Sequence, residues 1–288
     1  MRDRWLAGAL LLLAGCAAPS ANKGSAPSAD VVASSASVAD FVAGQSARTK
    51  ALDDFASRGS LEVRWKDDEG SHFEQTQVEL AWRERGQRMA FRADKVGERL
   101  AWAGADAARW WIFELKREPS RLTTGRRGSV PRDSILPFVG PESVLELMAA
   151  RAWPESARAA GAEGALRWIE WDLASPVGAW RRTRALVERP GSLPQRVELL
   201  DSTGHAIARS TLTRPLSVPV NGLPTGAWPE IAGTMRIEAG ESRATWDIFW
   251  DQPGTDPARL KERLFDLTVL TEALRPQEVV DQDATTKP

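Results

Sequence analysis

Between residues 61 and 250 apolar side chains recur with a period of two, and that alternation constrains the fold more than any other feature of the chain. Leu61, Val63 and Trp65 alternate with polar neighbours until Asp67-Asp68-Glu69-Gly70 turns the chain. Val78, Leu80 and Trp82 repeat the pattern, and Arg85-Gly86 leads into Met89 and Phe91. Successive side chains of a strand point to opposite faces, so each segment reads as a half-buried strand, and the short turns between them make neighbours antiparallel. Further strands are expected over residues 98–103, 108–116, 166–173, 179–188, 195–200, 205–213, 234–238 and 244–250, about eleven in all. Trp110-Trp111-Ile112-Phe113 is apolar on both faces. The second face of that strand must meet something other than water, a helix or a neighbouring molecule.

Helical periodicity appears before, within and after this series. Over residues 40–57, Phe41, Gln45, Leu52 and Phe55 fall near one face, and Ser57-Arg58-Gly59 supplies a stop. After Pro131, Asp133 or Ser134 could cap a helix, and Pro141-Glu142-Ser143 opens another carrying Val144, Leu145, Leu147 and Met148. Residues 257–273 carry Leu260, Leu264, Phe265 and Leu267 on an amphipathic helix. The tail, 275–288, is polar and expected to be loose.

The first forty residues address the chain. Arg2 and Arg4 precede an apolar run from Leu6 to Leu13, the layout of a secretory signal over residues 1–15. The run is too short to span a bilayer, which takes about 20 residues. Leu13-Ala14-Gly15-Cys16 resembles the lipobox of bacterial lipoproteins, in which the cysteine is acylated before cleavage. Cys16 is the only cysteine, so no disulfide can use it, and lipidation can. Cleavage near Ala18 is the alternative and leaves that thiol without a role. Ala17 after the cysteine, in place of Asp, favours the outer membrane by the enterobacterial sorting pattern. Residues 16–38 are rich in Ala, Ser, Pro and Gly and read as a lipidated flexible tether. Residues 39–274 remain as one domain with a substantial core.

Composition narrows the function. Lys plus Arg number 38 against 39 Asp plus Glu, without the basic excess that nucleic-acid binding leaves. The two histidines, His72 and His205, lie more than 130 residues apart, and no HExxH, GxSxG or Walker-type motif occurs. No metal cluster or cofactor is expected, and neither is catalysis. Thirteen tryptophans stand out against an absence of tyrosine. They either fill the core or line an open apolar concavity.

In order and pattern the arrangement resembles the outer-membrane lipoprotein carrier family, LolA and its membrane-anchored relative LolB. The features that carry the likeness are the leading helix, the paired strands through Phe91, and the inserted helix after Pro131. The hairpin around Asp201-Ser202-Thr203-Gly204-His205 is the fourth. The resemblance implies a mainly β fold: an open antiparallel half-barrel of about eleven strands, with helices covering an apolar concave face. It also implies that this face holds an acyl chain of a lipid or lipoprotein. Trp65, Leu80, Trp82, Phe91, Trp102, Trp111 and Phe113 are the expected lining. The partners expected are the membrane, through lipid on Cys16, and an acyl chain. An envelope scaffold or sensor that binds a protein partner is the alternative. Relatives of this kind use a particular arginine to hold the lid closed; none of the 31 arginines here can be matched to it from sequence.

Overall fold

The computed structural model describes residues 36–68, 70–129, 140–141, 143–239 and 244–284. Cys16, the signal 1–15, the tether up to residue 35 and the helix expected just after Pro131 lie outside them. Helix α1 (Val38–Lys50) leads into a single sheet of fourteen strands. These are β1 (Asp54–Asp67), β2 (Gly70–Arg83), β3 (Arg88–Lys95), β4 (Glu98–Ala105), β5 (Arg109–Glu114) and β6 (Arg121–Arg126). Helix α2 (Ser143–Leu147) interrupts the series. There follow β7 (Arg158–Glu163), β8 (Leu166–Val177), β9 (Trp180–Val187), β10 (Arg196–Leu200), β11 (Ala206–Ser217), β12 (Glu230–Ala239) and β13 (Thr245–Gly254). Helix α3 (Leu267–Leu274) and β14 (Glu278–Asp281) end the chain.

Two antiparallel meanders, β1–β6 and β7–β13, join where β13 returns to β1, with Leu61 opposite Ile248 and Val63 opposite Trp246. The sheet stays open, with β14 and β7 at its edges. Three strands beyond the expected eleven are β6, β7 and β14. Strand β7, Arg-Ala-Ala-Gly-Ala-Glu, carries no large apolar residue and is exposed throughout. Strand β14 has four residues and pairs parallel to β6. Within the tail, Glu278 to Asp281 form that strand, and Asp283 accepts a hydrogen bond from the Arg126 backbone N–H.

Helix α1 starts in a capping box, with Ser37 and Asp40 each accepting from the other's backbone. It is shorter than the expected 40–57. It stops at Lys50, because pairing of Asp54 with Arg83 draws the next residues into β1. Leu52 and Phe55 still reach the core that Phe41 enters, one from a turn and one from a strand, so their spacing imitated a longer helix.

Register decides which side chains share a face. Leu80, Phe91, Ala103 and Ile112 lie side by side on four strands, and all face the side covered by α1 and α2, called the inner face here. Trp102, Phe113 and Leu122 form the matching row on the outer face. The outer face of β1–β6 is covered by the C-terminal segment. Leu260 and Phe265 pack on Ala56, Ala81 and Ala90, and Leu270 of α3 packs on Trp102, Trp111 and Phe113. That segment is two 3-10 turns followed by the short α3, not one helix over 257–273. It supplies the cover that the doubly apolar strand β5 requires. Glu262 fastens it by bonding both Arg83 and Arg88.

The outer face of the second meander is charged instead. One row across the sheet reads Arg158, Glu170, Arg184, Glu198, Arg209, Glu238. Glu198, almost fully buried, accepts from Arg184 and from Arg209, both at 2.6 Å.

Candidate functional site

The inner face is the apolar face that the two helices cover. Helices α1 and α2 lie over it and are tied to each other and to the sheet by side chains that donate to backbone carbonyls. Gln45 Nε2 donates to the Ala149 and Arg151 carbonyls at 2.9 and 3.1 Å. Arg48 Nε donates to Gln45 Oε1 at 3.2 Å, Nη1 to the Glu230 carbonyl at 2.5 Å, and Nη2 to the Ala149 carbonyl. Ser210 Oγ on β11 donates to the Leu147 carbonyl at 2.6 Å. These bonds fasten the buried carbonyl end of α2, which is too short to hold itself. Arg48 is only 7% exposed, and burial lowers its pKa to about 10, with the Glu230 carboxylate opposing that shift. It remains a cation at neutral pH.

Glu146 on α2 belongs to the same cover. Part of the residue reaches the surface, but its carboxyl group is enclosed, accepting from the Trp171 indole and the Thr183 hydroxyl. Burial raises its pKa, and the nearby Arg151 only partly offsets the shift. A raised folded-state pKa adds stability that is full below the ordinary glutamate value of 4.5 and is lost as pH rises through the raised value. Glu146→Gln should therefore be more stable than the parent at pH 7.5, with the difference closing at pH 4.5. Urea midpoints at the two pH values test this; a constant difference would mean that the carboxyl group is not desolvated.

The seven residues expected to line one trough are split. Leu80, Trp82 and Phe91 lie together on the inner face, each at most 3% exposed. Trp102, Trp111 and Phe113 are on the outer face beneath α3 and belong to a separate cluster. The split is one of parity, since adjacent strand residues face opposite ways. On β4 and β5 the inward positions are Ala101, Ala103, Ala105, Trp110 and Ile112. Trp65 has inner-face parity but sits near the tip of the β1–β2 hairpin, half-buried and stacked on His72 with centroids 4.9 Å apart. Residues the sequence reading missed are Arg48, Glu146 and the small inward alanines. One signal was present, because Gln45, a polar residue on the apolar face of α1, marks a buried polar junction.

Two grooves flank α1. One, of about 410 Å³, lies between Gly44, Ala47, Arg48 and the loop ending at Trp228 and Glu230. The other, of about 340 Å³, lies between Thr49, Asp53, Trp82 and Ala150. Trp82, one of the expected lining residues, thus lines a groove. Among the described residues no group of three or more His, Cys, Asp or Glu side chains is placed to hold a metal.

An open, mainly antiparallel sheet with short helices across one face defines a LolA/LolB-like fold, and solved structures share it. A DUF1329 family protein from Desulfovibrio piger superposes with a TM-score of 0.54 at 11% identity, covering 80% of this chain and 99% of its own. A LolA superfamily protein from Nitrosomonas europaea gives 0.53 at 10% identity, covering 81% and 98%. A putative outer membrane lipoprotein-sorting protein domain from Vibrio parahaemolyticus gives 0.53 at 13% identity, covering 80% and 97%. No family model and no curated protein matches the sequence.

Proposed function

We propose that the chain is an envelope lipoprotein that holds an acyl chain, of a lipid or of a lipoprotein, between the inner face and the cover formed by α1 and α2. In this reading it is exported under residues 1–15, anchored through lipid on Cys16, and faces the periplasm from the outer membrane. It handles lipid or lipoprotein cargo without catalysis. The observation that carries the reading is the inner face itself. Apolar side chains run across it from Ile112, Phe91 and Leu80 to Ile248, Met235 and Ile237, under two helices totalling 18 residues. Such a cover, tied through a few hydrogen bonds, is light enough to move. The fold shared with a LolA superfamily protein and a lipoprotein-sorting domain supports the same reading.

One observation favours a second reading, a scaffold that binds a protein partner. The inner-face residues Leu80, Trp82 and Phe91 are packed closed, while Phe73 near the β1–β2 tip and Val96 at the β3–β4 turn are 56% and 96% exposed. Native mass spectrometry of the full-length protein, purified under lipid-retaining conditions, separates the two. The expected result is a lipid-sized mass on the folded protein that is lost on denaturation. A bare polypeptide that takes up no added phospholipid or acylated peptide would sink the acyl reading in favour of the protein partner.

A further inference from the structure

The groove between α1 and the loop before β12 brings together two opposite charges that do not meet. Its floor is one helical face, Gly44, Ala47 and Arg48, whose small residues leave about 410 Å³ open. Its far wall is Trp228, held in place by its indole N–H donating to the Leu223 carbonyl at 3.1 Å. Arg48 lies in the wall, nine-tenths buried, and has no carboxylate within ion-pair distance among the described residues. Its bonds go to two carbonyls and an amide oxygen, which satisfy N–H groups without neutralising charge. Three of about five guanidinium N–H groups are used in this way. Glu230 lines the same groove, is exposed, and has no ion-pair partner among the described residues. Glu230 offsets the burial of Arg48 only in part and without an ion pair, and an anion entering the groove beside Arg48 would offset the rest.

We infer that this groove is a head-group site for a phosphate ester bearing an amine, the phosphoethanolamine group. Its phosphate meets Arg48, its ammonium meets Glu230, and its ethylene bridge lies against Trp228. The inference rests on the acyl reading only for its lipid source, since the same group also exists free. A single anion would be repelled by Glu230, and a single cation would be repelled by Arg48. A zwitterion of this kind answers both.

Calorimetric titration of the full-length protein in dodecyl maltoside micelles tests it, with dihexanoyl phosphatidylethanolamine, dihexanoyl phosphatidylglycerol and free phosphoethanolamine as probes. The ethanolamine lipid should bind about tenfold more tightly than the glycerol lipid, the scale of one charge-assisted contact. Glu230→Gln should remove that preference. Ala47→Trp, at an exposed helix position, fills the groove and should weaken the ethanolamine probes about tenfold or more at an unchanged melting temperature. Equal binding of both lipids to the parent, or unaltered binding to Ala47→Trp, overturns the head-group site while leaving acyl binding standing. Free phosphoethanolamine bound as tightly as its lipid supports the site and counts against the acyl chain. No binding of any probe removes both.

Discussion

Trp111→Ala is expected to cost about 3–5 kcal/mol of folding stability, the range for emptying a large buried aromatic site. Trp111 is fully buried on the outer face, where its ring lies across Gly104 of β4 beneath Leu270. A Cβ at position 104 would come within 2.5 Å of that ring, so glycine there is the seat on which the tryptophan rests. Gly104→Leu should reproduce the loss from the other side of the contact. Deleting the ring also exposes Phe113 and frees α3, so the melting temperature should fall by roughly 10 °C for a domain of this size. The lipid content of the molecules that remain folded should not change, because Trp111 lies on the far side of the sheet from the proposed acyl site. A variant with near-parental stability and lost lipid would return Trp111 to the binding face.

Arg48→Leu should loosen the cover without unfolding the sheet. It leaves the Glu230 carbonyl without its donor, removes one of two donors from the Ala149 carbonyl, and breaks the bridge to Gln45. Losing hydrogen bonds to a charged group costs about 1.5–3 kcal/mol, partly returned here because the charge no longer has to be buried. A net loss of about 2 kcal/mol speeds local opening roughly thirtyfold. The readout is hydrogen exchange at the amides of Met148, Ala149 and Ala150, each bonded within the α2 turn. Strand amides such as those of β1 and β2 should keep their protection. Unchanged exchange over residues 148–150 would show that Gln45, Ser210 and the apolar contacts hold α2 without Arg48.

The strands were legible because alternation is a one-dimensional property, and most of those expected recur within a few residues. Their faces were not. Size pointed to Trp102 and Phe113 as inward residues, yet Ala101 and Ala103 face α1 and α2, where helices need room, while the large rings fill the space under α3. No local pattern tells which of two apolar faces meets which helix; that depends on where residues 257–274 fold back. Strand β7 escaped notice because alanine and glycine carry no strand signal, and its existence rests on pairing with β8 alone. The site's polar members were hidden for a similar reason. Arg48 reads as an ordinary basic residue in the last turn of a helix until the Ala149 and Glu230 carbonyls arrive from more than 100 residues away.

In a sheet of fourteen strands, apolar alternation alone permits an ambiguity of two residues, since a slip of that size returns every apolar side chain to its own face. The charged row across β7–β12 removes the ambiguity, as a vernier does between two coarse scales. Sliding β9 against β10 by two residues brings Arg184 opposite Arg196, and the same slip of β11 brings Arg209 opposite Arg196. Like charges directly opposite are unfavourable, most of all beside a carboxylate as enclosed as Glu198. The first meander has the C-terminal segment to set its alignment from outside. The second, with no such cover among the described residues, carries its alignment marks in the strands themselves.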